Sequence, residues 1–387
     1  MSSTAPTDAP LNVLIVGGGV AALEAALALR DLGGDRVALT ILAPNPEFVY
    51  RPMTIREPFS YLNAERYDLA QIATDLGAKL VKDGVKWLDH EQRIVHTLSG
   101  SQIPYDELLL AVGARLQPRY KHTLTMDDAH LDVLLHGLIQ DVEEGYVHSL
   151  GLVTPPGRSW PLPIYEFALM TAQRAYEMNI EVSITITTPE DSPLAMFGPG
   201  ASDEVKRLLE EHHIATITSA HCEVHEPDTI TVHPGPRQLT VDRIVALPEL
   251  FGPGIQGVPA DGQGGFIPTD THGKVRGIDH VHAAGDAIDF PIKHGGLAAQ
   301  QADVAAQAIA AAAGLCPEPQ PAQLTIHGVL LTGGKPLYLS AHVAGSHGSH
   351  SQLTDEPSWS PPTKIVAKYL SPYLEGLEAR SLTARTV

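Results

Sequence analysis

The residues best placed to do chemistry lie at three widely separated glycine turns. Leu11 to Arg30 reads LNVLIVGGGVAALEAALALR, an apolar strand, a turn and an apolar helix in the order a dinucleotide site requires. In Gly17-x-Gly19-x-x-Ala22 the first glycine permits the tight turn and the second lets the backbone approach a pyrophosphate. A small residue at the third position lets helix and strand pack closely. A helix opening at Val20 and Ala21 would aim free N–H groups and the positive end of its dipole at phosphates. Far downstream, VHAAGD at 281–286 ends another short apolar strand in Gly285-Asp286. An acid repels pyrophosphate but accepts a hydrogen bond from a sugar or ribityl hydroxyl, so Asp286 implies a different contact. Between the two, YDELLLAVGA at 105–114 is a third strand, ending in a turn from Ala111 to Gly113.

These three segments, in this order, resemble the FAD site of the two-dinucleotide-domain flavoproteins, the pyridine nucleotide-disulfide oxidoreductase superfamily. The resemblance runs over residues 11–315 and implies FAD bound by Gly17, Gly19, Val20, Ala21, Ala22, Ala111, Gly113, Gly285, Asp286 and Ala298. Pro291-Ile-Lys293-His-Gly295-x-x-Ala298 is similar to the lysine-containing loop of sulfide:quinone oxidoreductases and flavocytochrome c sulfide dehydrogenases. Phe48-Val-Tyr-Arg51-Pro52 is similar to their aromatic-to-proline segment. Gln300-Gln301 resembles the glutamines of the type II NADH:quinone dehydrogenases. The resemblance places Lys293 near the isoalloxazine as the catalytic candidate, where an ammonium could raise the flavin potential or deliver a proton. The alternative is a surface lysine pairing with Asp289 or Asp286. Arg51 either holds phosphates or solvates a loop.

The chain also departs from these relatives. The sulfide-oxidising branch needs redox cysteines beside the flavin, one of them in the turn of the second domain, where this chain has Ser159 and Trp160. Neither Cys222 nor Cys316 matches a redox position. The second domain should open on another glycine turn, yet the strand Leu150 to Val153 runs into TPPGRSWPLP at 154–163. Its prolines have no N–H to donate, and only Gly157 remains, so tight NAD(P)H binding is not expected. Glu190, ending the next strand, is either a ribose acceptor or a solvated turn residue. In the FAD half, the ribose-binding acid expected about 20 residues past the glycines falls at Leu42 or Ala43, which cannot accept; Glu47 is the nearest carboxylate.

The elements that must position these residues give an α/β chain with two Rossmann-like dinucleotide-binding domains, the second inserted in the first and degenerate, and a short C-terminal appendage. Residues 1–145 and 276–325 form the discontinuous FAD-binding domain, 146–275 the second domain, and 326–387 the C-terminal segment. Helical patterns run from Tyr165 to Met178, Asp203 to His212 and Leu297 to Ala313, and SITITT at 183–188 reads as a strand. At 387 residues, two domains can each bury a core. A net charge of −19 argues against nucleic acid and against electrostatic adhesion to anionic lipid. Two distant cysteines make no disulfide framework, the polar N-terminus has no apolar signal core, and no apolar run reaches the ~18 residues of a membrane span. A cytoplasmic protein is expected, with a peripheral position at the inner membrane face left open.

WSPPTKIVAKYLSPYL, from Trp359, reads as a short helix bounded by prolines, able to lie on a membrane near a quinone pool, on the protein's own core, or on a second subunit. His342, His347 and His350 fall in a Gly/Ser stretch read as a loop of solvated histidines, and no metal is expected. The implied activity is an FAD-dependent oxidoreductase passing electrons from a small reductant to a quinone or other acceptor, without a redox-active cysteine pair. The alternative is a flavin-bound assembly or redox-sensing protein with little turnover.

Overall fold

A computed structural model describes residues 9–60, 63–127, 134–321, 323–344 and 347–385. The polar N-terminal segment 1–8, read above for a signal, lies outside the described residues. In chain order the helices are α1 (Val20–Gly33), α2 (Leu69–Asp75), α3 (His136–Glu143), α4 (Leu162–Glu177), α5 (Pro199–Glu211), α6 (Gly295–Ala312) and α7 (Leu370–Arg385).

The first sheet is parallel, its strands ordered 281–283, 107–110, 11–16, 37–42, 79–81. Both faces are covered, which is why Leu11–Val16 and Glu107–Leu110 are almost continuously apolar rather than alternating. On one face α1 lies against α6, and the contact is made of alanines: Ala21, Ala22, Ala25, Ala28, Ala298, Ala302 and Ala305 are all buried. Such small side chains let the two helix axes come close, so both N-termini open at the same edge of the sheet. The strand 281–283 returns to this sheet after the whole insert, making the unit discontinuous.

The inserted sheet is also parallel, ordered 124–125, 243–246, 149–153, 183–187, 215–217. Its edge strand Leu124–Thr125 precedes residue 146, and Leu138, Ile139 and Val142 of α3 join its core. The second unit therefore draws on chain ahead of 146. A two-residue strand is too short to leave a periodic signal.

The C-terminal segment differs from expectation in two places. The stretch holding His342, His347 and His350 is two strands of an antiparallel sheet, 325–330, 337–344 and 347–354, with His342 opposite Ser349. Alternation of Leu337, Leu339, Ala341 and Val343 drives it, with Leu339 and Ala341 in the core. Among the described residues no three His, Cys, Asp or Glu side chains converge as metal ligands.

Residues 359–369 are irregular rather than helical, and α7 starts only at Leu370. Pro361 and Pro362 cannot donate to a helix, and Lys364 is drawn into a buried ion pair with Glu166 of α4 at 2.6 Å. The start of α7 is then capped from another helix: the buried carboxylate of Glu24 in α1 accepts from Tyr369 N (3.0 Å) and Leu370 N (2.6 Å). Ile365, Ala367, Leu370 and Leu374 are buried against the first domain, so this segment docks on its own core. Among the described residues no helix is long and apolar enough to cross a membrane.

Candidate functional site

The three glycine turns meet at the carboxyl edge of the first sheet. Gly17 has φ +133°, and a Cβ there would lie 2.1 Å from the carbonyl oxygen of Ala111, so only glycine lets these two turns touch. At Gly285, φ +75°, a Cβ would meet Ala21 Cβ at 3.1 Å and Ala298 Cβ at 3.2 Å. Gly17, Ala111, Ala21, Gly285 and Ala298 are thus brought together from four parts of the chain. A Cβ at Gly19 or Gly113 would meet nothing within 4 Å, which leaves both positions facing free space. Gly19 is the N-cap of α1, with no side-chain cap and no acid in the first turn, so no side chain of its own neutralises the positive helix end. Val20 is half-buried, whereas Ala22 is wholly buried and serves the packing of helix on strand.

The Gly-Asp turn is braced from α6, where Gln301 Oε1 accepts the N–H of Gly285 at 3.1 Å. Its neighbour Gln300 bonds Gly296 O (3.0 Å) and both backbone groups of Thr325. The pair so similar to the glutamines of other flavoproteins therefore works here as internal scaffolding.

Lys293 is not a surface lysine. It is 3% exposed, its Nζ donates to the carbonyl of Ile288, and the ammonium sits 4.0 Å from the ring centroid of Phe266. Burial pushes its pKa down to about 8, against the upward pull of Asp286. Burial conversely pushes the Asp286 carboxyl up, while Lys293 and Arg51 hold it back. Arg51, exposed at the start of the turn Arg51–Phe59, is close enough to act on Asp286. The buried lysine and the half-buried aspartate therefore stabilise each other's charged forms.

His294 had drawn no notice in the sequence. Its Nδ1 accepts from Leu297 N at 3.3 Å, making it the N-cap of α6, and burial pushes its pKa down to about 3. The ring is neutral at any physiological pH, and Trp160 from the second domain lies against it, ring centroids 4.5 Å apart. Arg158 of the same turn was likewise missed: it pairs with Asp261 at 3.0 Å and lies over Phe266 at 4.5 Å. A histidine before Gly-Gly at a helix start was the one available signal for the cap. The Arg158 contacts join distant segments and left none.

Glu190 is not a solvated turn residue: Oε2 is doubly engaged, and Oε1 is buried and, among the described residues, without a hydrogen-bond partner. It accepts from Tyr165 Oη at 2.7 Å and Thr188 Oγ1 at 3.0 Å, and burial pushes its pKa up to about 7. Cys222 is buried in the inserted domain, with burial pushing its thiol up to about 11. Cys316 is half-buried beside Gln307 O at 3.5 Å. Neither touches the turns that meet around Gly17.

A discontinuous parallel sheet with an alanine-packed helix pair and converging glycine turns is the Rossmann-like arrangement that the sequence resemblance implies. Residues 3–135 match the family described as pyridine nucleotide-disulphide oxidoreductase. A sulfide-quinone reductase of Aquifex aeolicus (strain VF5) is 26% identical over 232 residues, 57% of this chain and 53% of that protein. The chain thus spans about half the length of the curated relative it matches. The crystal structure of sulfide:quinone oxidoreductase from Aquifex aeolicus superposes with TM-score 0.82 at 19% identity, covering 89% of this chain and 86% of that one. A ferredoxin reductase of Rhodopseudomonas palustris gives 0.65 at 17% identity, covering 86% and 83%. An NAD-dependent persulfide reductase of A. fulgidus gives 0.63 at 17%, covering 86% and 64%.

The resemblance to pyridine nucleotide-disulfide oxidoreductases therefore holds, and the cofactor of this class is FAD. The residues present fit it: the uncapped end of α1, open space at Gly19 and Gly113, and an acid at Asp286 suit a pyrophosphate and a polyol.

Proposed function

We propose that the chain is an FAD-dependent oxidoreductase of the sulfide:quinone oxidoreductase type that takes electrons from a small donor and passes them to a quinone or similar acceptor, without a cysteine relay. The observation that carries this reading is the meeting of the three glycine turns beside a buried Lys293 at the start of α6. FAD supplies two-electron redox chemistry when bound. The first turn of α1, with Gly17 and Gly19, would bind the pyrophosphate; Asp286 and Gly285 would hold the ribityl chain; Ala111, Gly113 and Ala298 would line the walls. Lys293 would place a cation beside the negative charge that reduction of the flavin creates, and its pKa of about 8 lets it hold or release a proton near neutral pH.

NAD(P)H is a poor fit as donor. Pro155 and Pro156 lie in the turn where a second pyrophosphate would sit, Pro161 and Pro163 open α4 directly after it, and Oε2 of Glu190 is taken by Tyr165 and Thr188. Thiol exchange fits no better, because Cys222 and Cys316 stand away from the turns. Cys222→Ser with Cys316→Ser should leave reduction by the true donor within about twofold of the parent, since a 1.4 kcal/mol change would already be tenfold. A large loss in a variant that keeps its fold and FAD would place a cysteine in the reaction.

The experiment that tests the function is anaerobic stopped-flow reduction of the flavin with NADH, NADPH, sulfide and thiols, followed by reoxidation with quinones. Rapid bleaching by a donor other than a pyridine nucleotide and restoration by a quinone is the expected result. Failure of every donor and acceptor to act on the flavin would count against an enzyme.

A further inference from the structure

We infer that Arg158 and Lys293 together form the docking site of a small oxyanion or carboxylate, so that the degenerate turn of the second domain anchors a negatively charged donor. This rests on reading the same site as the flavin-facing one. Three observations converge. Arg158 and Lys293 come from different domains, yet both cations lie on the ring of Phe266, at 4.5 and 4.0 Å. The guanidinium is fixed in plane, because Asp261 takes Nη2 at 3.0 Å and the Phe266 ring supports its face. Its other edge is unused: Nη1 is buried and, among the described residues, has no hydrogen-bond partner.

A buried cationic donor left unpaired is costly, and such groups in folded proteins call for a ligand or ordered water. With Nη2 held by Asp261, Nη1 still offers N–H donors in the guanidinium plane, and these suit the oxygens of a carboxylate or an oxyanion better than a halide or a thiolate. Three carboxylates, Asp261, Asp286 and Asp289, also face Lys293, and none of them takes the Nη1 edge. They limit the site to weak, selective binding. Burial lowers the pKa of Lys293 to about 8, and an incoming anion would raise it again by favouring the charged form. The sequence change also has a reason here, since a turn that has given up its glycines cannot cradle a pyrophosphate but can carry an arginine across to the first domain.

Calorimetric titration of the FAD-loaded protein in low-salt buffer with the redox-inert anions sulfate and acetate tests this, with the flavin absorbance followed in the same samples. One-site binding with Kd of about a millimolar is expected; the stronger of the two titrations tells an inorganic oxyanion from an organic carboxylate. Arg158→Gln should weaken binding about tenfold or more, Arg158→Lys by less, because the charge survives without the fork. Asp261→Asn frees Nη2 and should tighten it, while Arg207→Gln on exposed α5 should change nothing. Absence of saturable binding to the parent, or binding in Arg158→Gln within about twofold of it, overturns the inference. Yellow protein that binds neither anion leaves the FAD reading standing; colourless protein removes that reading, and the anion titration then decides this one by itself.

Discussion

Lys293 and Glu190 are the two residues whose titration reports on the site and its neighbour. An ammonium within about 4–6 Å of a reduced flavin, in a partly desolvated place, is worth roughly 1–3 kcal/mol to the anion. For a two-electron couple that is about 20–65 mV. Lys293→Met should therefore lower the flavin midpoint potential by a few tens of millivolts with little change in FAD affinity. The difference should be largest below the Lys293 pKa of about 8 and shrink above it, where the parent loses its charge as well. Spectroelectrochemical titration at several pH values measures this; equal potentials at pH 7 would remove Lys293 from the flavin. Glu190 titrates in a separate window. Its folded pKa is raised from 4.5 to about 7, so between those values the folded protein keeps a proton that the unfolded chain releases. Stability contributed by this group is complete below the window and is lost as pH rises through it, by roughly 1–3 kcal/mol. Glu190→Gln should flatten that fall, read as the urea midpoint at pH 5 and pH 7.5. An unchanged pH slope in the variant would mean that Glu190 is solvated after all.

At the level of elements, the site depends on where α1 and α6 begin. His294 caps α6 through Leu297 N, and replacing such a cap costs about 1 kcal/mol, more where the orphaned N–H is buried. His294→Ala should lower the melting temperature by roughly 2–4 °C per kcal/mol lost for a unit of this size. No loss on differential scanning calorimetry would show that the cap is dispensable. Much of this layer was legible in the sequence. Leu11–Arg30 carries strand, turn and helix in one local run, although the contact that requires glycine at Gly17 is made with Ala111 in a distant segment. The cap was not legible, because Lys-His-Gly-Gly reads equally as a solvated loop until Trp160 and the 325–330 strand bury it. Nor was the irregular course of 359–369: its pattern suits a helix, and only the pairing of Lys364 with a glutamate 198 positions away explains why it forms none.

Across the whole molecule, the two domains and the C-terminal segment are joined by buried polar contacts that no local pattern encodes. Lys364 reaches Glu166 in the insert and the carbonyl of Pro52 in the first domain, while Ile365 N donates to Tyr50 Oη at 2.8 Å. Removing one partner of such a buried pair leaves an uncompensated charge, so these contacts hold the C-terminal segment over the start of α6. The domain order and the discontinuity of the first sheet could be read from the positions of three glycine turns. The early start of the insert could not, because Leu124–Thr125 is a strand only by virtue of its neighbour at 243–246. The most direct test of a flavin site at these turns is to release the cofactor from the purified chain, identify it by chromatography, and repeat the measurement on Gly19→Val. Close to one FAD per chain, not FMN, with none retained by the variant, is the predicted result, since the ligand proposed for this turn is a pyrophosphate, which FMN lacks. A colourless native protein that cannot be reconstituted with FAD would contradict it.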